Sequence, residues 1–269
     1  MIGKNPSNEN QKYKELFLDL YRGPGNPNHT NQYARLMTSL TETKVILNNI
    51  KNLPKNSVIY IDGSLHGKYL NSIWPYQTNF KNNSTIELLK KHIKLLEKAK
   101  KKNIKLIGIS KTSQVQTLSK QLGIQAPDTE LLQGYTTTKG YSTPIMLGGH
   151  GFRPEEFNKL TQDPEKFLEH LQDGTSTEKN LKIIKKLRKS PAIISLHARF
   201  SNNDQTIRID IPAHDIGLNK TITFGRSEPI NPKAVKPVLE LVKQDYGGRS
   251  VHNSLLYTVD ELVRLKQKT

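Results

Sequence analysis

Apolar and polar positions along the chain fall into segments of two different periods. From about Asn31 to Ile50, Leu36, Leu40, Ile46, Leu47 and Ile50 recur at mostly helical spacing and predict a helix. Pro54-Lys55-Asn56 turns the chain into Val58-Ile59-Tyr60-Ile61, a continuous apolar run of the length of a buried strand, which Asp62-Gly63-Ser64 closes. Ser84 with Glu87 three residues on forms a capping box, and Ile86, Leu89, Ile93, Leu96 and Ala99 mark the apolar face of the helix it starts. Asn103 stops that helix, Ile104 to Ile109 reads as a second buried strand, and a helix from about Ser113 to Leu122 follows. Strand, helix, strand, helix is the grammar of an α/β sheet with a parallel crossover.

The flanks are patterned less regularly. Residues 16–22 form a short apolar run ended by Gly23-Pro24-Gly25-Asn26-Pro27, and periodicity does not decide between a strand and a helix end. The Gly- and Thr-rich stretch from Thr136 to Gly151 reads as loop, and residues 154–188 as two helical pieces parted by Asp173-Gly174-Thr175. Ala192 to Phe200 and Thr206 to Ile211 are β-like runs around Ser201-Asn202-Asn203-Asp204, a hairpin signal. Arg208 and Asp210 alternate there with Ile207, Ile209 and Ile211, the pattern of a half-buried strand. Two helices, about 232–244 and 251–267, end the chain. With no internal repeat and no low-complexity linker, residues 1–269 are expected to form one α/β domain with a helical insertion at about 151–190.

Composition narrows the chemistry. The 269 residues carry 41 Lys plus Arg against 24 Asp plus Glu, a formal charge of +17, and no cysteine. The missing cysteines exclude a disulfide scaffold, a thiolate zinc site and a cysteine nucleophile. No stretch approaches the ~18–20 apolar residues of a membrane helix, and Met1 to Asn10 has no apolar core of a signal peptide, so a cytoplasmic protein is expected. So large a positive charge strains a compact fold and points to an anionic partner, nucleic acid first. The plainer account is a solvated helix end at Lys98, Lys100, Lys101 and Lys102.

Asp62 stands where a strand runs into Gly-Ser, the place where α/β sheets open their ligand crevice; an Asp capping the turn is the plainer account. Glu42, on the preceding helix, and Asp19, ending an earlier apolar run, are further carboxylates. Hard divalent ions are gathered by carboxylates from separate elements, and acids within a basic surface suit a nuclease. Each of these acids is, alone, also an ordinary solvated side chain. Lys111, at the end of the second strand beside Ser110, Thr112 and Ser113, is placed to hold a backbone phosphate. Arg208 and Asp210 are either a cross-strand ion pair or reach the strand being cut. His252, after Tyr246-Gly247-Gly248-Arg249, is a candidate metal ligand or proton donor. No Walker-type phosphate loop, Gly-x-Ser-x-Gly elbow or His-Glu-x-x-His occurs.

In their order, Ile61-Asp62-Gly63-Ser64-Leu65, the long helix, Leu106-Ile107-Gly108-Ile109-Ser110-Lys111-Thr112-Ser113, Pro127 to Leu132, Tyr141 to Ile145, Arg208-Ile209-Asp210-Ile211-Pro212 and a late His252 resemble the NurA nuclease family. The resemblance implies an RNase H-like mixed sheet flanked by helices, and DNA cleavage with manganese or magnesium. It also implies a homodimer and a HerA-type hexameric ATPase partner in DNA end resection. Carried over residue by residue, Glu42 matches the family's helix Glu, Asp62 its second Asp in Asp-Gly-Ser-Leu, and His252 its late His, with Tyr246 as an aromatic before it. Asp19 is the counterpart of the first Asp but lacks the Gly-Ser that follows it in the family. Two expectations follow: a metal-dependent nuclease without sequence specificity, in which Lys111 and Arg208 position the DNA backbone, or a nuclease-like DNA-binding subunit that does not cut. An RNA-processing role rests on charge alone.

Overall fold

The computed structural model describes residues 27–73, 84–113, 115–147, 186, 189–222, 227–248 and 253–263. Asp19, His252, the 16–22 run and nearly all of the expected 151–190 insertion lie outside the described residues.

Helix α1 (Pro27–Asn49) runs into a short 3-10 turn and strand β1 (Val58–Asp62). Helices α2 (Leu65–Ile73) and α3 (Ser84–Lys102) lead to β2 (Lys105–Ser110), which pairs parallel with β1, as the crossover grammar requires. Glu87 of α3 reaches Lys44 of α1 at 3.0 Å. The helix stops at Asn103 by a Schellman motif: Asn103 has φ +52°, its N–H donates to Lys100, and Ile104 N donates to the Ala99 carbonyl at 2.9 Å.

Next come the short helices α4 (Thr117–Gln121) and α5 (Asp128–Tyr135) and two-residue strands β3 (Gly140–Tyr141) and β4 (Ile145–Met146). Strands β5 (Ile193–Arg199) and β6 (Ile207–Pro212) form the expected hairpin, with Asn203 at φ +59° in its turn. Strand β7 (Glu228–Pro229), helix α6 (Lys236–Gln244) and helix α7 (Ser254–Val263) complete the described chain.

The seven described strands make one mixed sheet, β1-β2-β6-β5-β4-β7, with β3 also on β5; among the described residues only the β1–β2 pair is parallel. One face carries Ile59, Ile61 and Leu106 against Ile46, Leu65, Ile93 and Leu96 of α1–α3. The other carries Tyr60, Ile107, Ile109, Ile207 and Ile209 with Val238 and Val242 of α6 and Leu256 of α7. No described helix is long and apolar enough to cross a membrane.

Three sequence expectations are corrected. The 113–122 helix shrinks to Thr117–Gln121, because the buried Asp128 carboxylate caps it by accepting from Leu118 N and Ser119 N. The 136–151 loop holds two short strands, which pair on the outer edge of β5. Strand β6 is buried on both faces, not one.

Candidate functional site

Asp62 is the exposed last residue of β1, at the carboxyl end of the parallel pair. The chain leaves it by a left-handed step at Gly63 (φ +99°), whose N–H donates to the Ile109 carbonyl at 2.8 Å. The neighbouring Gly108 makes this approach possible: a Cβ there would lie 2.7 Å from the Gly63 carbonyl oxygen. Ser64 then caps α2. Its hydroxyl accepts from Gly67 N at 2.9 Å and donates to Asp210 Oδ2 at 2.6 Å, and the same oxygen accepts from His66 N at 3.2 Å.

Asp210 reaches the turn because it is locked to Arg208. The Arg208 Nε donates to Asp210 Oδ1 at 2.8 Å and Ser195 Oγ at 2.9 Å, its Nη2 to Asp210 Oδ2 and Ser64 Oγ, and its Nη1 to Ser113 Oγ at 3.2 Å. Burial pushes the Asp210 carboxyl up, but the Arg208 charge and the hydrogen bonds from Ser64 and Arg208 outweigh it and hold the group below the usual carboxylate value. Arg208 is 2% exposed, so it is not a contact for a DNA phosphate. Of the two accounts open for Arg208 and Asp210, the ion pair is the one realised, along β6 itself and not across strands.

Beside the turn lies a cleft of about 630 Å³. One stripe of α1 lines it at helical spacing with Asn31, Arg35, Thr38 and Glu42; the Asp62-Gly63-Ser64 turn and Lys68 of α2 close the other side. Glu42 and Asp62, twenty positions apart in sequence, therefore share one cavity. Lys68 Nζ donates to Glu42 Oε2 at 2.5 Å; the lysine side chain is 4% exposed, that of Glu42 37%. Below Lys68, His92 packs edge-on to Tyr69, ring centroids 4.6 Å apart. Burial, helped by the Lys68 charge, lowers the His92 pKa to about 3.

Two carboxylates with nearby hydroxyl and amide oxygens fit a hard divalent cation that keeps several waters. No group of three or more His, Asp or Glu able to hold a metal occurs among the described residues.

The remaining expected residues are more dispersed. Lys111, half-buried, follows β2 at the same edge of the sheet as Asp62, and its carbonyl accepts from Gln205 Nε2 at 3.3 Å. Tyr246 packs its ring on Phe200, centroids 5.0 Å apart, and donates its hydroxyl to Asp204; it does not line the cleft. Arg35 and Lys68 were not singled out from the sequence, and Ser64 only as part of the Asp62-Gly63-Ser64 turn. Only Lys68 left a signal: three residues after Leu65 and one before Tyr69, it puts a charge on the buried stripe of α2.

Among solved structures the chain resembles the crystal structure of the NurA nuclease from Sulfolobus solfataricus, with a TM-score of 0.54 and 16% identity. The match covers 91% of this chain and 65% of that one, so the chain spans about two thirds of the length of that relative. A second NurA crystal structure matches at a TM-score of 0.34 and 18% identity, over 68% of this chain and 33% of that one, too partial to argue from. No curated protein matches. The family comparison is direct: the NurA domain profile fits residues 4–223, and the chain belongs to the NurA family.

Proposed function

We propose that the chain is a metal-dependent DNA nuclease, hydrolysing phosphodiester bonds without sequence specificity. The observation that carries this reading is the meeting of Glu42 and Asp62 in one cleft at the carboxyl end of β1. Manganese or magnesium held there would supply positive charge against the scissile phosphate and acidify an attacking water. Arg35, exposed on the α1 side of the cleft, takes the phosphate-holding role first expected of Arg208, and Lys111 stays a backbone contact. The Arg208–Asp210 pair fixes the turn through Ser64 and the His66 amide, so that Asp62 is held in place before any ligand arrives. Neither cation reads base edges, which is why no sequence preference is expected.

The finer parts of the reading rest on family resemblance. They are an RNase H-like assignment of the mixed sheet, a single domain over 1–269 with a helical insertion at 151–190, a homodimer, and work beside a HerA-type hexameric ATPase in end resection. Asp19 and His252 complete the proposed ligand set.

A second reading is a nuclease-like DNA-binding subunit that does not cut. It is favoured by the Lys68 ammonium, which already holds the Glu42 carboxylate. Manganese-dependent digestion of end-labelled linear DNA separates the two. The wild type should cut, Asp62→Asn should lose at least about a hundredfold in rate while still retaining DNA, and Asp19→Asn should follow if that residue is a ligand. A wild type that binds DNA and leaves it intact, with or without a translocase, sinks the nuclease reading.

A further inference from the structure

Lys68 is the charged side chain in the cleft that neither composition nor family pattern explains. It sits on the first turns of α2, three residues after Leu65 and next to Tyr69, which are 0% and 1% exposed, and is itself buried. Burying an ammonium is unfavourable unless a carboxylate answers it. Glu42 does so at 2.5 Å, from a different helix, while its own side chain stays over a third exposed. The asymmetry matters: the lysine is fixed by its surroundings, whereas the carboxylate is open to the cleft and to anything that enters it.

A divalent ion drawn to Glu42 and Asp62 meets that ammonium at the same carboxylate. Two cations cannot both sit close to one carboxylate without repelling each other, so either the ion binds against the lysine charge or the lysine gives way. We propose that Lys68 is an internal stand-in cation: it holds Glu42 in the metal-free protein and competes with the divalent ion for it. This rests on the reading of the cleft as a divalent-ion site. Lys68 is a positioning residue in this scheme, acting through Glu42.

The test measures ion binding by the full chain without DNA, by following the free-manganese spin-resonance signal during titration. Lys68→Met keeps the length and apolar body of the side chain and removes the charge. It should tighten manganese binding by about tenfold, since a charge at this range moves an ionic equilibrium by one or more powers of ten. In a Glu42→Gln background the same substitution should change affinity less than about twofold. Unchanged or weakened affinity in Lys68→Met, with the fold intact by circular dichroism, overturns the proposal.

Should that variant fail to fold, the wild type still answers. The Lys68 ammonium resonance, assigned by comparison with Lys68→Arg, should shift on magnesium titration; a resonance indifferent to saturating magnesium overturns the competition. Cleavage decides a separate question. A wild type that cuts nothing, with tighter manganese binding in Lys68→Met, removes the nuclease reading and keeps the competition. A wild type that cuts DNA, with equal affinity in both proteins, does the reverse.

Discussion

Arg208 with Asp210 and Lys68 with Glu42 are ion pairs on either side of one turn, and they are built differently. The first is sealed, both partners 2% exposed or less, and every oxygen and nitrogen it presents to the turn is hydrogen-bonded. The second seals only its cation. A sealed pair is a fixture, because opening it strands a charge in a dry interior. In a pair open on the carboxylate side, water or an entering cation can take over the carboxylate, and the cost of opening falls on the buried ammonium alone. The difference separates what holds Asp62 in place from what receives a ligand beside it.

The largest effect is expected at the sealed pair. Arg208→Met should lower stability by about 3–5 kcal/mol in urea unfolding, and Arg208→Met with Asp210→Leu should recover much of that, since an apolar pair leaves no stranded charge. A single-variant loss under about 1 kcal/mol would mean that the pair is not sealed in solution.

Acid provides the next contrast. His92, under Lys68, stays neutral in the fold down to about pH 3, and His197, lowered by burial and then by the Arg208 charge, to about 4; both take a proton near 6.5 once unfolded. The unfolded chain therefore binds more protons as pH falls through 6.5, and stability drains over the window from there to about 4 and 3. Each histidine should remove about 2 kcal/mol between pH 7 and 5, and His92→Phe should flatten the curve of urea midpoint against pH. Asp210 works in the same sense at lower pH: its depressed carboxyl gives stability that is present above the ordinary carboxylate value and drains as pH falls from there through its lower folded value. A midpoint that does not move between pH 7 and 5 would show that water reaches the histidines.

The smallest change in stability should come from Lys68→Met, within about 1 kcal/mol of wild type, because Glu42 remains wet and a buried ammonium gives way to an apolar group. A loss as large as that of Arg208→Met would erase the distinction between the two pairs.

Much of the frame was legible in sequence because its signals were local and agreed with one another. The run Val58 to Ile61, the Asn103 stop and the Asn202-Asn203 turn each carry their own stereochemistry, and β1, α3, β2 and the β5–β6 hairpin follow from them. Helix α2 was missed since Leu65-His66-Gly67-Lys68 breaks the apolar period with a glycine and a lysine. Strands β3 and β4, two residues each, are too short to show any period and exist because β5 offers them an edge. Alternation on β6 suggested that Arg208 faces water; a period of two reports polarity, and only the tertiary neighbours Ser64, Ser113 and Ser195 decide that the polar side is also covered. In the site, Glu42 and Asp62 were singled out from sequence and line one cleft, while Lys68 and Arg35 became visible only when α1 and α2 were brought together.

The lysine run that closes α3 bears on how the net charge is felt. Lys102 does not point its ammonium into solvent: it donates to the carbonyls of Ile50, Lys51 and Leu53 at 3.1, 2.8 and 2.8 Å, locking the end of α3 to the turn after α1. Lys105 is similarly engaged by the Asp215 carbonyl, and Arg199 by those of Thr136 and Leu132. A polyanion sheds condensed counterions only to cations that can come up to its phosphates. The formal +17 therefore overstates the number of ions such a partner would release, and the outward-facing lysines of α3, Lys90, Lys94 and Lys101, belong to the ionic atmosphere in a way that Lys102 does not.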